Sequence, residues 1–356
     1  MTDLLKVIEP GAFTTVQDRG RFGYQRFGVP PTGMLDPYAG QVAGMLVGNE
    51  PDAALLELTF TGPVMRVLAP GKIALTGAAM PLTINGVAKK RWRSHCVKPG
   101  DLLHMGQAIS GCRAYLAVGG GIDVPKVMGS RSCYTGAGIG GYEGRPLACG
   151  DLLPCGATPP GAQDHPNRRI PASFIPDYDG EIVLRAVAGP QADYFDEGLK
   201  CFFESAYTVT PQANRMGYRL AGPAVTPKPK MPKSIISEPS LPGGVQVPED
   251  GQPIVLLVEQ TVGGYTKIAT VITPDIARIA QAVPGTRVRF EAVSLAAAHE
   301  IYRRDREMMA AIKNVIETGK ASWAGYDAEI KEENAILSPQ IFSRQMLSEK
   351  IQRHLL

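Results

Sequence analysis

The stretch Ile73–Gly86, IALTGAAMPLTING, decides the fold class. Two short apolar runs, Ile73–Leu75 and Leu82–Ile84, are each followed by a turn signal, Gly77 and then Asn85-Gly86. Asn-Gly suits a two-residue hairpin turn, because both central positions need φ above zero. Apolar runs this short, punctuated this often, are strands; a helix needs about ten residues of 3.6-fold periodicity. The same grammar extends both ways. Leu4–Ile8, Ala54–Leu58 and Met65–Leu68 precede it, and Ala114–Val118 follows, closed by Gly119-Gly120-Gly121. Further on come Ile182–Val187, Ile254–Val258 and Ile268–Ile272. The predicted class is mainly β.

Helices are few. Asp36 is placed to cap one, Pro37 suits its first position and Gly48 its end. Tyr38, Val42, Met45 and Leu46 share its apolar face. Thr273-Pro274 starts a short helix over 275–282, stopped by Pro284-Gly285. Residues 156–180 hold five prolines and little periodicity, and read as a linker. After Phe290 the character changes. Ser294 is placed to cap a helix with Leu295, Ala298, Tyr302, Met309, Ile312 and Ile316 on one stripe, ending at Gly319. Ser338-Pro339 starts another. The expected organisation is a β block over 1–160, a second over 181–292 and a helical tail over 293–356, packed on its own domain or on a partner. Asp18-Arg19-Gly20 with Phe22-Gly23-Tyr24, against Asn214–Tyr218, leaves an internal duplication open.

Composition narrows the function. A net charge of +3 on 356 residues argues against a nucleic-acid surface. No apolar run approaches the roughly 18 residues of a membrane span. The start MTDLLKVIEPGAF lacks the basic and apolar regions of a secretory signal, so the expected location is cytoplasmic. Six cysteines without a C-x-x-C read as buried thiols, and no metal set is predicted. Gly136-x-Gly138-x-x-Gly141 matches a dinucleotide fingerprint in letters only, because Tyr-Glu-Gly-Arg-Pro after it cannot open a helix. It reads instead as a flexible loop over the substrate. No P-loop, H-E-x-x-H or G-x-S-x-G occurs.

Three polar segments are candidates for chemistry. Thr14–Arg21 carries Gln17, Asp18 and Arg19, and guanidinium plus amide groups suit carboxylate or carbonyl oxygens. Gly129–Ser132 offers backbone donors and Arg131 as an anion nest. In Val262–Lys267, Gly263 and Gly264 allow close backbone approach. Tyr265 and Lys267, two apart on a strand, face one side and are able to polarise an amide oxygen. Composition alone leaves a solvated loop, a polar turn and a surface pair open for the three.

These segments, in this order, closely resemble one family. TTVQDRGRFGYQRFGVPPTGMLD (14–36), LVGNEPDAALLELTFTGP (46–63), IALTGA (73–78) and AYLAVGGGIDVPKVMGSRS (114–132) carry the first half. NRMGYRL (214–220), SEPSLPGGVQVPEDGQPIVLLVE (237–259) and GGYTKIATVI (263–272) carry the second. The chain is identified as similar to the 5-oxoprolinase C-subunit group, also called KipA-type, allophanate hydrolase subunit 2 or biotin-dependent carboxyltransferase. The resemblance implies two cyclophilin-like β-barrel domains. It implies two partner proteins, one KipI-type and one LamB/YcsF-type, which together with it open the lactam of 5-oxoproline with ATP. The related part of urea carboxylase transfers carboxyl from biotin on a carrier to urea. On the family motifs the implied catalytic set is Arg19, Lys267, Tyr265 and Asp18. The implied substrate-binding set is Gln17, Asp36, Glu57, Ser130, Arg131, Arg215, Glu238, Gln246, Gly263 and Gly264.

Two places depart from the pattern. Val258-Glu259-Gln260-Thr261-Val262 stands where the family has approximately Asp-Arg-Gln-Thr-Thr, with Thr266 in place of a proline, and Cys133 stands for threonine. The expectation is one component of an ATP-dependent lactam-opening complex. The alternatives are a carboxyltransferase working with a separate biotin carrier, or a non-catalytic KipA-like regulator of a KipI-type partner.

Overall fold

The computed structural model describes residues 2–157 and 167–318. The second helix expected in the tail lies outside them. The hairpin that opened the reading forms as expected. Leu82–Ile84 pairs with Val87–Lys89, with Leu82 opposite Lys89. Asn85 and Gly86 take φ of 51° and 78° between them. Gly86 has no neighbour within 4 Å, so Gly86→Ala acts through φ alone. An expected loss of about 1–2 kcal/mol should appear in urea denaturation.

The first half forms two sheets. One runs, in order, Leu152–Cys155, Thr2–Glu9, Val64–Val67, Leu102–Met105, Leu82–Ile84, Val87–Lys89. The other runs Phe13–Gln17, Leu55–Thr59, Arg113–Val118, Gly71–Gly77, Ser94–Val97. Leu5, Val7, Leu56, Leu58, Leu75, Leu103 and Leu116 meet in one buried core. Phe13–Gln17 corrects the reading of its segment as loop: it is a buried edge strand on Leu55–Thr59. Its polar side chains survive burial because each finds a partner. Thr14 donates to Pro10 O (2.7 Å), and the Gln17 amide donates to Thr15 Oγ1 (3.0 Å) and Cys133 O (3.2 Å).

In the second half, seven strands form a closed hydrogen-bonded ring. The order is Ile182–Ala188, Arg287–Ala292, Ala206–Ala213, Gly217–Ala221, Ile254–Leu256, Gly244–Val247, Val262–Val271, and the last pairs back onto the first. Ser234–Pro239 attaches outside the ring, along Val262–Val271. A ring leaves no free edge, and its interior is filled by Leu184, Phe202, Tyr207, Leu220, Val255 and Ile268.

The helix Pro37–Val47 has the caps its sequence requires: Asp36 Oδ1 accepts from Ala39 N, and Gly48 is left-handed at φ 80°. The second helix covers Thr273–Ala280, two residues earlier than expected. Glu197–Glu204 is a helix the sequence reading missed, too short to show its period. The tail helix Leu295–Thr318 is capped by Ser294. Its residues Met309, Ile312 and Ile316 bury themselves against Val42, Leu46 and Trp92 of the first half. The stripe is buried only there; Leu295 and Tyr302 are exposed. The described part of the expected linker, 167–180, connects the halves while packed on the first. Ile170 is buried, Arg168 pairs its backbone with Ser94, and the Tyr178 hydroxyl donates to Asp36 Oδ2 (2.9 Å). Residues 158–166 lie outside the described set.

Candidate functional site

The structure sorts the predicted residues into three groups. The first is built on Asp18, just past its strand. Its Oδ1 accepts from Ser130 Oγ (2.6 Å), Ser132 Oγ (2.5 Å) and Gly20 N (2.9 Å), and its Oδ2 from Arg131 N (2.6 Å). In place of the expected nest of backbone donors and Arg131, the 129–132 segment turns two hydroxyls and one backbone N–H onto Asp18. The Arg131 guanidinium turns away, to Val124 O (2.9 Å) and Asp123 Oδ1 (2.6 Å). Behind the segment lies Arg21, fully buried, bonded to Val127 O, Thr32 Oγ1 and Ser132 O. Burial lowers its pKa, with Asp18 pulling the other way. Gly140 packs so closely on Ser132 O and Arg21 that a side chain there would collide with both. The expected flexible loop is thus pinned at this point. Arg19 points elsewhere. It is half-exposed, 3.7 Å from Asp52, on a cleft of about 580 Å³ whose other wall includes Tyr302, Asp305 and Arg306 of the tail helix.

The second group joins the two halves. Arg215 donates through Nε to Glu259 Oε1 (2.5 Å), through Nη1 to Glu57 Oε1 and through Nη2 to Gly33 O (2.7 Å). Glu57 Oε2 accepts from Leu35 N (3.0 Å) and the Tyr115 hydroxyl (2.9 Å). All three charged groups are under 10% exposed. Alongside, Asp36 Oδ2 accepts from Gln281 Nε2 (2.8 Å) and the Tyr178 hydroxyl. Burial raises the Asp36 pKa against the Ala39, Gln281 and Tyr178 donors, and Glu57 adds to the rise. Gln281 also accepts from the N–H groups of Cys112 (3.1 Å) and Arg113 (2.9 Å) and donates to Arg113 O (2.9 Å). Two of the departures, Glu259 and Cys133, fall here. Glu259 is a direct partner of Arg215. Burial pushes the Cys133 thiol up to about 11, with Arg215 pulling it down and Glu259 pushing it up.

The third group lies on Val262–Val271 and the strands beside it. Lys267 is 8% exposed, and its Nζ donates to Glu238 Oε1 (2.7 Å). Gln246 stands opposite Lys267 across the strand pair, at a register shift where the strand carries an extra residue. The Gln246 Nε2 is buried with no hydrogen-bond partner, and so is Ser240 Oγ. Both lie at Gly263, where a Cβ would fall on the Gln246 amide and stand 3.4 Å from Ser240 Oγ. Orphaned buried polar groups are rare and costly, and these two share a strand pair with a buried ammonium. Gln191 completes the wall, accepting from Lys267 N (3.0 Å). Tyr265 does not join in: it is 44% exposed, and among the described contacts no bond links it to Lys267. Gly264 sits under Ile235 O and Ser237 Oγ.

Ser240 and Gln191 escaped the sequence reading. A serine inside a Pro-rich motif and a glutamine after a strand give no periodic signal. The ion pair predicts a pH effect. The Lys267 hydrogen bond holds the Glu238 carboxyl below its usual range. A depressed folded-state pKa stabilises fully above the ordinary carboxylate range, and that contribution is lost as pH falls through the depressed value. Wild type should therefore lose more stability than Glu238→Gln between about pH 6 and pH 3, in urea titrations. Equal losses would remove the pair from the acid limb.

Among the described residues no group of three or more His, Cys, Asp or Glu is placed to hold a metal ion, and no helix is long and apolar enough to cross a membrane.

Comparison with known proteins places this geometry. The C subunit of 5-oxoprolinase from Escherichia coli (strain K12) is 39% identical over 295 residues, covering 82% of this chain and 92% of that protein. The urea amidolyase of Lachancea kluyveri is 33% identical over 338 residues, 88% of this chain and 18% of that protein. The solved urea amidolyase of K. lactis superposes with a TM-score of 0.81 at 30% identity, covering 87% of this chain and 20% of that one. The solved protein TTHA0988 gives 0.73 at 34% identity, over 81% of this chain and 56% of that one. This chain thus spans about a fifth of the urea amidolyases and nearly all of the Escherichia coli protein. Residues 27–292 match the carboxyltransferase domain, subdomain A and B, and the chain belongs to that family.

Proposed function

We propose that this chain is the C subunit of a 5-oxoprolinase-type complex, and that it binds a lactam or related amide at Lys267, Gln246 and Ser240. The observation that carries the reading is the pair of buried, unpartnered groups, Gln246 Nε2 and Ser240 Oγ, beside the Lys267 ammonium. An amide resists attack because resonance ties its nitrogen to its carbonyl. Opening it requires negative charge on the carbonyl oxygen to be stabilised. Donors aimed at that oxygen supply the stabilisation. Glu238 orients Lys267, and Gly263 leaves the Gln246 amide free of a side chain. Asp18 then shapes the 129–132 loop, and Glu57, Arg215 and Asp36 lock the two halves, so these residues position rather than react. ATP drives the ring opening in the complex, and no residue of this chain is assigned to hold it. A KipI-type protein and a LamB/YcsF-type protein are the partners of this reading, and the cytoplasm is its location.

A carboxyltransferase acting on urea would use the same three donors. The superposition on urea amidolyase keeps that second reading alive, and it requires biotin on a separate carrier. The test is reconstitution with the KipI-type and LamB/YcsF-type partners, following ATP-dependent loss of 5-oxoproline. Lys267→Ala should lower turnover by about 10²-fold or more, with partner binding kept. Full turnover in a folded Lys267→Ala protein removes the site from the reaction. No turnover by the complete wild-type complex sinks the lactam reading, and carboxyl transfer from carboxybiotin would then establish the second. Tight partner binding with neither activity would leave a regulator.

A further inference from the structure

A cationic cleft is lined by residues that the proposed reaction does not use. Lys90-Arg91-Trp92-Arg93 and Asn167-Arg168-Arg169 line one cleft of about 920 Å³, with Glu317 and Thr318 at the end of the tail helix. Within it, Arg93 and Arg169 form a bridge directly opposite each other. Like charges so placed repel and destabilise the pairing. The pairing is nevertheless fixed from the next residues: Ser94 N donates to Arg168 O (2.9 Å), and Arg168 N donates to Ser94 Oγ (2.9 Å). Among the described ion pairs, none gives Lys90, Arg91, Arg93, Arg168 or Arg169 a carboxylate.

Two residues of the lining also carry a buried donor without a partner. The indole N–H of Trp92, a residue 2% exposed, has no acceptor, and neither has the buried Nε–H of Arg168. Trp92 also holds φ at 57°, a conformation that bulky residues rarely keep without a reason imposed from outside the residue. Arg91 donates to Gly77 O and Ala78 O and Arg168 to Met45 O, while the one carboxylate of the lining, Glu317, stands 3.8 Å from Lys313, so the cationic charge of the cleft has no carboxylate partner among the described ion pairs. Guanidinium groups match oxyanions in pairs. The volume is that of a small-molecule site.

We propose that this cleft binds a small, multiply charged oxyanion, bearing phosphate or carboxylate groups, between Arg93, Arg168 and Arg169 with Trp92 at its floor. The inference is independent of the lactam reading. The probe is tripolyphosphate at low ionic strength, titrated into full-length protein carrying Trp323→Phe, so that Trp92 is the reporting fluorophore. The expected result is a saturable change in its emission and a rise in melting temperature. Both should weaken by about tenfold or more in Arg93→Gln/Arg169→Gln, whose melting temperature without ligand should not fall, because the repulsion is gone. No saturable change, or one unaltered in the double variant, overturns the proposal. The acidic stretch 327–333 of this chain is the competing source of carboxylates. Saturable binding seen only after Asp327→Asn/Glu329→Gln/Glu332→Gln/Glu333→Gln would assign the cleft to that stretch and overturn the free-ligand proposal.

Discussion

Alanine at Arg215 should lower the unfolding free energy by about 3–5 kcal/mol, the cost of stranding buried charge. Arg215 is the cation between two carboxylates, Glu57 from the first half and Glu259 from the second. Removing it leaves both anions buried. Glu57 keeps Tyr115, Leu35 N and a longer contact to Arg113 at 3.9 Å; Glu259 loses its ion pair. The Gly33 carbonyl loses a donor as well. Urea denaturation measures the loss, and a second variant locates it. Arg215→Met with Glu259→Met removes the cation together with one anion and should be less damaging than Arg215→Ala. A loss below about 1 kcal/mol for Arg215→Ala, the size of an exposed ion pair, would mean that water reaches the seam.

Asp18→Ala should cost about 3–4 kcal/mol, from four donors left without their charged acceptor at well over half a kcal/mol each. Ser130 Oγ, Ser132 Oγ, Gly20 N and Arg131 N all converge on this one carboxylate. The loop 129–132 should loosen selectively. Amide hydrogen exchange at Arg131 should accelerate far more than at Leu116, which lies in the central strand of its sheet. Asp18→Asn should fall between, because its amide keeps one acceptor oxygen and turns an N–H toward a donor. Uniform exchange across the chain would show that the loop does not depend on Asp18.

Much of this was legible in the residues. Asn85-Gly86 fixed a hairpin, and Asp36, Pro37 and Gly48 bounded a helix, because caps and tight turns are local chemistry. Gly263, Gln246, Lys267 and Glu238 were legible as a group only through the ordered motifs. What stayed hidden depends on partners far along the chain. Thr14–Gln17 reads as polar and loop-like until Cys133 and Leu55–Thr59 cover it. Arg131 reads as an anion ligand until Asp123 takes its guanidinium and Asp18 its backbone N–H. Tyr265 and Lys267 share a spacing, yet one is exposed and the other buried: Lys267 lies opposite Gln246 in the ring, and Tyr265 opposite Ser234 on the strand outside it.

The tail helix has a consequence for synthesis. Its Met309, Ile312 and Ile316 complete a core whose other members, Ala39, Val42, Leu46 and Trp92, belong to the first third of the chain. A ribosome delivers those early residues first, and domains ordinarily close as they emerge. Here Leu55, Ala74, Tyr115 and Ala117 can cover part of the Pro37–Val47 helix early, but the part that meets Met309, Ile312 and Ile316 has to wait until residue 316 leaves the exit tunnel. The core around Trp92 is therefore completed only after the second half has been made.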